Sequence, residues 1–149
     1  MKCSVLSKYL FKIKYFYILI FAIFLIFACK KDKINPVPDT LVDIYLNISS
    51  TQYIRLTTIE GFEYVTGGVS GILVYRKSLD EFMAFDRMCP YNSSSCERIQ
   101  VQSTPIAVDS GCGTTFLMLD GSVIAGPSKF PLKQYKTYFD GSYLRIYNN

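Results

Sequence analysis

The segment VDIYLNI, residues 42–48, decides the fold class, because an aliphatic side chain occupies every second position. Successive side chains of a β-strand point to opposite faces of its sheet, so a period of two is typical of a strand with one buried face. An amphipathic α-helix would instead repeat its apolar positions every three to four residues. The segment therefore predicts a half-buried strand. Its inward-facing residues are Val42, Ile44, Leu46 and Ile48.

The same period of two recurs along the chain as far as residue 147. No stretch keeps a helical period for long, so no helix of more than about ten residues is expected after residue 40. Asp120-Gly121 and Asp140-Gly141 each separate two apolar runs and predict hairpins with type I′ turns, in which both central residues have positive φ. The predicted fold class is all-β. The other predicted strands are 53–56, 62–66, 71–77, 82–87, 97–102, 106–109, 115–119, 123–125, 134–139 and 143–147.

Three features exclude broad classes of function. The chain contains no histidine, which excludes Ser–His–Asp hydrolases, Cys–His proteases and HExxH zinc enzymes. The net charge of +4 comes from four lysines within residues 1–28, and the other twelve basic residues balance the twelve acidic ones. No nucleic-acid partner is therefore expected. The turn Gly67-Gly68-Val69-Ser70-Gly71 lacks the Lys-Ser/Thr of a phosphate loop and predicts a plain turn.

Residues 1–28 have the pattern of a secretory signal peptide. Four lysines precede a fourteen-residue apolar run at 15–28, and no acidic residue interrupts the segment. A membrane-spanning helix needs about 20 apolar residues, so this run is short for a span and fits the apolar core of a signal peptide. A short anchor retained in the mature protein is the alternative interpretation.

The end of the apolar run, Ile26-Phe27-Ala28-Cys29, resembles a bacterial lipobox. The resemblance implies that Cys29 becomes the lipidated N-terminus and holds the protein at a membrane, since each buried methylene of an acyl chain contributes about 0.8 kcal/mol. Residues 29–40 contain three lysines and two prolines and predict a flexible tether, and residues 41–149 form a single β-domain. The expected location is the bacterial cell envelope, on the periplasmic face or the cell surface. At this location an envelope protein is a further expected partner.

Three cysteines of the β-domain lie in two predicted loops. Cys89 and Cys96 belong to residues 86–96, and Cys112 belongs to residues 109–116. Predicted strands flank both loops, so the loops can meet at one end of a small β-domain. Metal and cluster sites are commonly built in this way.

The order of motifs from about residue 60 to 149 resembles a Rieske domain, the class that holds a 2Fe–2S cluster. The resemblance implies a small antiparallel sandwich or barrel with a cluster site between two loops, and a Gly126-Pro127 segment packed over that site. The motifs are the Cys89-Pro90 loop, Cys112-Gly113-Thr114-Thr115-Phe116, the turn at Asp120-Gly121, Gly126-Pro127, Pro131-Leu132, Tyr135 and the turn at Asp140-Gly141.

Both ligand histidines of the Rieske pattern are absent from this chain. The resemblance places Cys89 and Tyr91 at the first ligand Cys and His, and Asp109 and Cys112 at the second pair. A competing register places Cys112 at the second ligand Cys and Thr115 at the second ligand His. In either register an ordinary Rieske cluster, held by two Cys and two His, cannot form.

Three functional hypotheses follow, and none predicts a catalytic residue. The first is a lipid-anchored module with a binding or structural role, without a cofactor, whose loops are joined by a disulfide from Cys112 to a cysteine of the first loop. The second is an electron-transfer or metal-binding domain with zinc, iron or an iron–sulfur cluster, held by Cys89, Cys96, Asp109 and Cys112. The third is a thiol-redox protein, although no CxxC pair is present. The first hypothesis is favoured on sequence alone, and an enzymatic role is not.

Overall fold

The computed structural model describes residues 35–91 and 94–148. The predicted signal peptide, Cys29 and the lysines at 30–33 lie outside the described residues. Within the described residues, no helix has both the length and the apolar character needed to cross a membrane. The elements in chain order are β1 (Asp43–Asn47), the 3₁₀-helix η1 (Thr51–Thr57), β2 (Phe62–Val65), β3 (Ile72–Arg76), β4 (Phe82–Asp86), β5 (Gln100–Ser103), β6 (Ile106–Val108), β7 (Thr115–Leu117), β8 (Val123–Ala125), β9 (Gln134–Phe139) and β10 (Tyr143–Tyr147).

The all-β prediction is confirmed. Ten of the eleven predicted strands are present, and β8, β9 and β10 have the predicted bounds. The predicted strand at 53–56 is wrong, because these residues form η1. Tyr53 and Leu56 pack on the core three residues apart, a spacing that puts both on one side of a 3₁₀-helix, whereas Ile54 is exposed. A four-residue apolar pattern does not distinguish the two structures.

The strands form two antiparallel sheets. The larger has the order β1-β10-β9-β4-β3-β2, and the smaller has the order β5-β6-β7-β8. The terminal strands pair directly, with Leu46 of β1 opposite Leu144 of β10. The smaller sheet comes from one continuous stretch of chain inserted between β4 and β9, and this stretch carries the predicted site.

Two clusters of buried side chains hold the sheets together. The first lies on one face of the large sheet and includes Leu46, Val74 and Ile146. The second joins the opposite face of β3 and β4, through Leu73 and Phe85, to the small sheet and its loops. Because β3 and β4 are buried on both faces, their sequences are nearly continuous apolar runs rather than alternating ones.

Asp120-Gly121 and Asp140-Gly141 form the predicted hairpin turns, but the predicted type I′ conformation is wrong. Gly121 and Gly141 have φ of +76° and +101°, whereas neither aspartate has a positive φ. Each Asp carboxylate instead accepts a hydrogen bond from the backbone amide two residues further on, at 2.9 Å and 2.8 Å respectively. Each aspartate therefore stabilises its turn through its side chain and does not itself adopt the left-handed backbone conformation.

The segment 35–40, predicted as part of a flexible tether, packs on the domain. Val37 is only 4% exposed, and the Asn35 side chain donates a hydrogen bond to the Pro131 carbonyl at 2.9 Å. Lys133 forms an ion pair with Asp39 at 2.7 Å. The predicted tether, residues 29–40, therefore extends too far along the chain. Prolines exclude the regular hydrogen bonding of a strand, but they do not prevent an apolar residue between them from being buried.

Candidate metal centre

Two loops at one end of the small sheet form the site. The first loop connects β4 to β5 and carries Cys89 and Cys96, and its two arms are joined by a β-bridge between Met88 and Arg98. The second loop connects the neighbouring strands β6 and β7. The loops approach closely at Gly111, where a Cβ atom would lie 1.9 Å from the Ser95 carbonyl oxygen. Only glycine fits at this contact.

The loops bring four potential metal ligands together: Cys89, Cys96, Asp109 and Cys112. One ligand atom from each residue lies within 4.8 Å of all the others. The Sγ atoms of Cys89 and Cys112 are 3.6 Å apart. Two thiolates on one tetrahedral ion, each about 2.3 Å from it, are about 3.8 Å apart. This spacing fits two thiolates on one metal ion, and the 4.8 Å limit on all four ligand atoms is what favours a single ion. A two-iron cluster needs two ligand pairs separated by the width of the cluster.

Asp109 is the most constrained member of this group. It is fully buried, and its Oδ1 accepts hydrogen bonds from the amides of Glu97, Gly111 and Cys112 at 3.0, 2.9 and 3.1 Å. Burial alone would raise the pKa of Asp109, but these amides and a hydrogen bond from the Cys89 thiol outweigh burial and keep the pKa below its ordinary value. The other oxygen, Oδ2, is buried, and no backbone or side-chain N–H or O–H of the described residues donates a hydrogen bond to it. An ionised oxygen without such a donor is costly in a protein interior, and a cation would remove this cost.

The cysteines differ in their surroundings. Cys89 is buried, and its burial raises the pKa of the thiol far above the ordinary value. Metal binding would therefore have to displace a proton from Cys89. Cys112 is half-buried, and its Sγ lies 3.1 Å from the hydroxyl of the buried Thr114. This contact fixes the direction of the Cys112 side chain.

The predicted disulfide is absent. None of the three described cysteines is in a disulfide, and the 3.6 Å between the Sγ atoms of Cys89 and Cys112 exceeds the 2.03–2.05 Å of an S–S bond. The part of the prediction that places Cys112 beside a cysteine of the first loop does agree with the structure.

Two residues predicted at Rieske ligand positions lie outside the group. The side chain of Tyr91 is 44% exposed and lines a separate cavity of about 280 Å³ with Pro90 and Pro127. Thr115, from the competing register, lies on β7 with its hydroxyl 3.5 Å from the Ala125 carbonyl. Cys96, rather than Tyr91, is the fourth member of the group. The β-bridge between Met88 and Arg98 turns the first loop back, and this brings Cys96 close to Cys89.

Gly126-Pro127 lies against both loops. Gly126 has a φ of +106°, and a Cβ atom there would lie 2.5 Å from the Cα of Thr114 in the second loop. Pro127 lines the small cavity beside Pro90 of the first loop. The segment therefore lies beside Gly113 and Thr114 of the second loop and near Pro90 of the first.

Asp86, at the end of β4, organises the start of the first loop and was not predicted as a site residue. It is fully buried and accepts a hydrogen bond from the amide of Met88, directly before Cys89, at 2.8 Å. The glycine-rich turn at residues 67–71 was predicted as a plain turn, but two of its backbone amides bind the carboxylate of Asp86. The other donors to Asp86 are the amides of Val69 and Ser70, at 2.6 and 3.2 Å, and the hydroxyl of Tyr135, at 2.7 Å.

No sequence model of a known protein family matches the chain, and no curated protein sequence matches it. Among solved structures, the chain is similar to a ferredoxin of Sphingomonas yanoikuyae B1, with a TM-score of 0.46 and 18% sequence identity. The similarity covers 64% of this chain and 94% of the ferredoxin chain. The chemistry of the site therefore rests on the residues of this chain.

Proposed function

We propose that the domain binds one metal ion, zinc or iron, through Cys89, Cys96, Asp109 and Cys112. The observation that carries the proposal is the convergence of these four ligand atoms within 4.8 Å. The buried Oδ2 of Asp109 supports it, because no N–H or O–H donor to this oxygen is found in the described part of the chain. The sequence alone favours a module without a cofactor, whereas the geometry supports the metal-binding hypothesis better.

A closed site of this kind suits a structural or electron-transfer role rather than catalysis. Four protein ligands occupy all the coordination positions of a tetrahedral ion, whereas a catalytic zinc keeps one position open for water or substrate. Zinc would hold the two loops together, and iron would additionally carry one electron. The anionic ligand set would favour the oxidised state of iron and lower its reduction potential.

A module without metal is the second candidate, and one observation favours it. The Sγ atoms of Cys89 and Cys112 are neighbours at 3.6 Å, so a small movement would permit a disulfide between the two loops. The resemblance to Rieske domains remains a prediction that rests on the order of the motifs, and it is compatible with either candidate.

Metal analysis of the full chain separates the two candidates. Protein purified without added chelator should contain about one zinc or iron per chain. Thiol titration of the denatured, unreduced protein should then return the thiols of Cys89, Cys96 and Cys112. Protein without metal, with one pair of these thiols lost to a disulfide, would contradict the proposal.

We further propose that Cys29 is lipidated and holds the domain at a membrane of the bacterial cell envelope. Cys29→Ala should abolish incorporation of a labelled fatty acid and release the protein from the membrane fraction, because acylation requires the thiol. Cys3→Ala is the matched control, since it removes a cysteine that lies before the proposed cleavage point. Lipid labelling that persists in Cys29→Ala would overturn this assignment.

A further inference from the structure

A groove runs from the cysteine loops to the turn between β2 and β3. It consists of two neighbouring cavities of about 390 and 380 Å³, which share Val69, Ser70 and Arg98 in their walls. Cys89 and Cys96 line the first cavity, and Tyr64 and Arg87 line the second. Cavities of this size are typical of sites for small molecules.

Arg87 is held rigidly at the groove. Its guanidinium lies over the ring of Tyr64, 4.0 Å from the ring centroid, and its Nε donates a hydrogen bond to the Ile99 carbonyl at 2.8 Å. Among the described residues, no acceptor is found for its two terminal nitrogens. A planar guanidinium whose two terminal nitrogens have no acceptor is well suited to an oxyanion, which it can bind through two parallel hydrogen bonds.

Arg98 places a second positive charge beside Arg87. Both arginines line the second cavity, and Arg98 also lines the first. In the part of the chain that the structure describes, no ion pair is found for either arginine.

The nearby acidic residues do not neutralise the two arginines. Glu97 lines the first cavity, but among the described residues no ion pair joins it to either arginine. Asp86 lies beneath the turn at residues 67–71, where four donors already satisfy its carboxylate. The groove therefore carries positive charge that the described part of the chain leaves uncompensated.

We propose that this groove binds a small anionic molecule through a carboxylate or phosphate group held between Arg87 and Arg98. The two arginines supply charge and forked donors for the oxyanion, and the cavities on either side leave room for the rest of the molecule. The ligand would lie beside the wall formed by Cys89 and Cys96. The site does not depend on the proposed metal, because both anion-binding groups are arginines.

Calorimetric titration of the full chain, in a neutral detergent at low salt, tests this proposal with citrate and inorganic phosphate as probes. Binding of either probe is expected, and the tighter one identifies the class of anion. Arg98→Gln should weaken binding by about tenfold or more, because it removes a charge-assisted contact. Arg55→Gln is the matched control, since Arg55 is an exposed arginine on η1 outside the groove, and it should leave binding unchanged.

Three results would overturn the anion site: no binding of either probe, unchanged binding in Arg98→Gln, or an equal loss in Arg55→Gln. The variant Cys112→Ser, which should be deficient in metal, should bind the probes as the original chain does. Loss of binding in Cys112→Ser would mean that the anion binds to the metal ion rather than to the arginines. The anion site and the metal site can therefore fail independently.

Discussion

Replacing Cys112 by serine should weaken metal binding by more than about 100-fold. Changing a residue that only supports a metal ligand already costs about 10- to 100-fold in affinity, and Cys112→Ser removes a ligand itself. Cys112 is also half-buried, so a serine there disturbs the core less than it would at the buried Cys89. Competition with a chromophoric chelator measures the affinity, and far-ultraviolet circular dichroism checks that the variant keeps its strand content.

Tyr91→Phe is the matched control for this prediction. It removes the oxygen of the residue that matches a Rieske ligand position, but the exposed Tyr91 side chain lies in a separate cavity. Metal affinity should therefore be unchanged in Tyr91→Phe. Full affinity in Cys112→Ser, or a loss in Tyr91→Phe as large as that in Cys112→Ser, would show that the four-residue ligand set is incorrect.

Replacing Asp109 by alanine should lower the free energy of unfolding by about 3 kcal/mol, even in the protein without metal. The variant loses three hydrogen bonds between backbone amides and a buried carboxylate, and hydrogen bonds to charged groups contribute about 1.5–3 kcal/mol each. The expected loss is smaller than the full sum because Glu97 and Gly111 are exposed, so water can reach their amides. Urea unfolding followed by circular dichroism after removal of metal gives the value.

Asp80→Ala serves as the control for Asp109→Ala. Asp80 is exposed in the turn between β3 and β4, so its replacement should change the free energy of unfolding by less than about 0.5 kcal/mol. A loss below about 1 kcal/mol in Asp109→Ala would mean that Asp109 does not organise the second loop. Asp109→Asn keeps an oxygen for the amides and should therefore fall between the two variants.

The strands were predictable because their signal is local. The alternation in 42–48 and in 143–147 reflects one buried and one exposed face, and both segments form strands that pair with each other. The segment 53–56 was not predictable, since four residues fit a strand and a 3₁₀ turn equally well. The strands buried on both faces, β3 and β4, are marked in the sequence by nearly continuous apolar runs, but the sequence does not show which elements cover their second face.

The ligand residues of the site were predictable from the sequence, but the residues that position the two loops were not. The two cysteine loops could be seen to converge, and Cys96 entered the metal-binding hypothesis from its spacing rather than from the resemblance. Asp86 was missed because three of its donors lie 16, 17 and 49 residues away in the chain. A buried aspartate at the end of an apolar strand is visible in the sequence, but its distant partners are not.

X-ray absorption at the metal edge of the purified full chain tests the central claim most directly. One ion bound by Cys89, Cys96, Asp109 and Cys112 should show three sulfur neighbours at about 2.3 Å and one oxygen neighbour at about 2.0–2.2 Å. No second metal should appear in its neighbourhood. A second iron close to the first would contradict the single-ion site, as would a protein that holds no metal and contains a disulfide between Cys89 and Cys112.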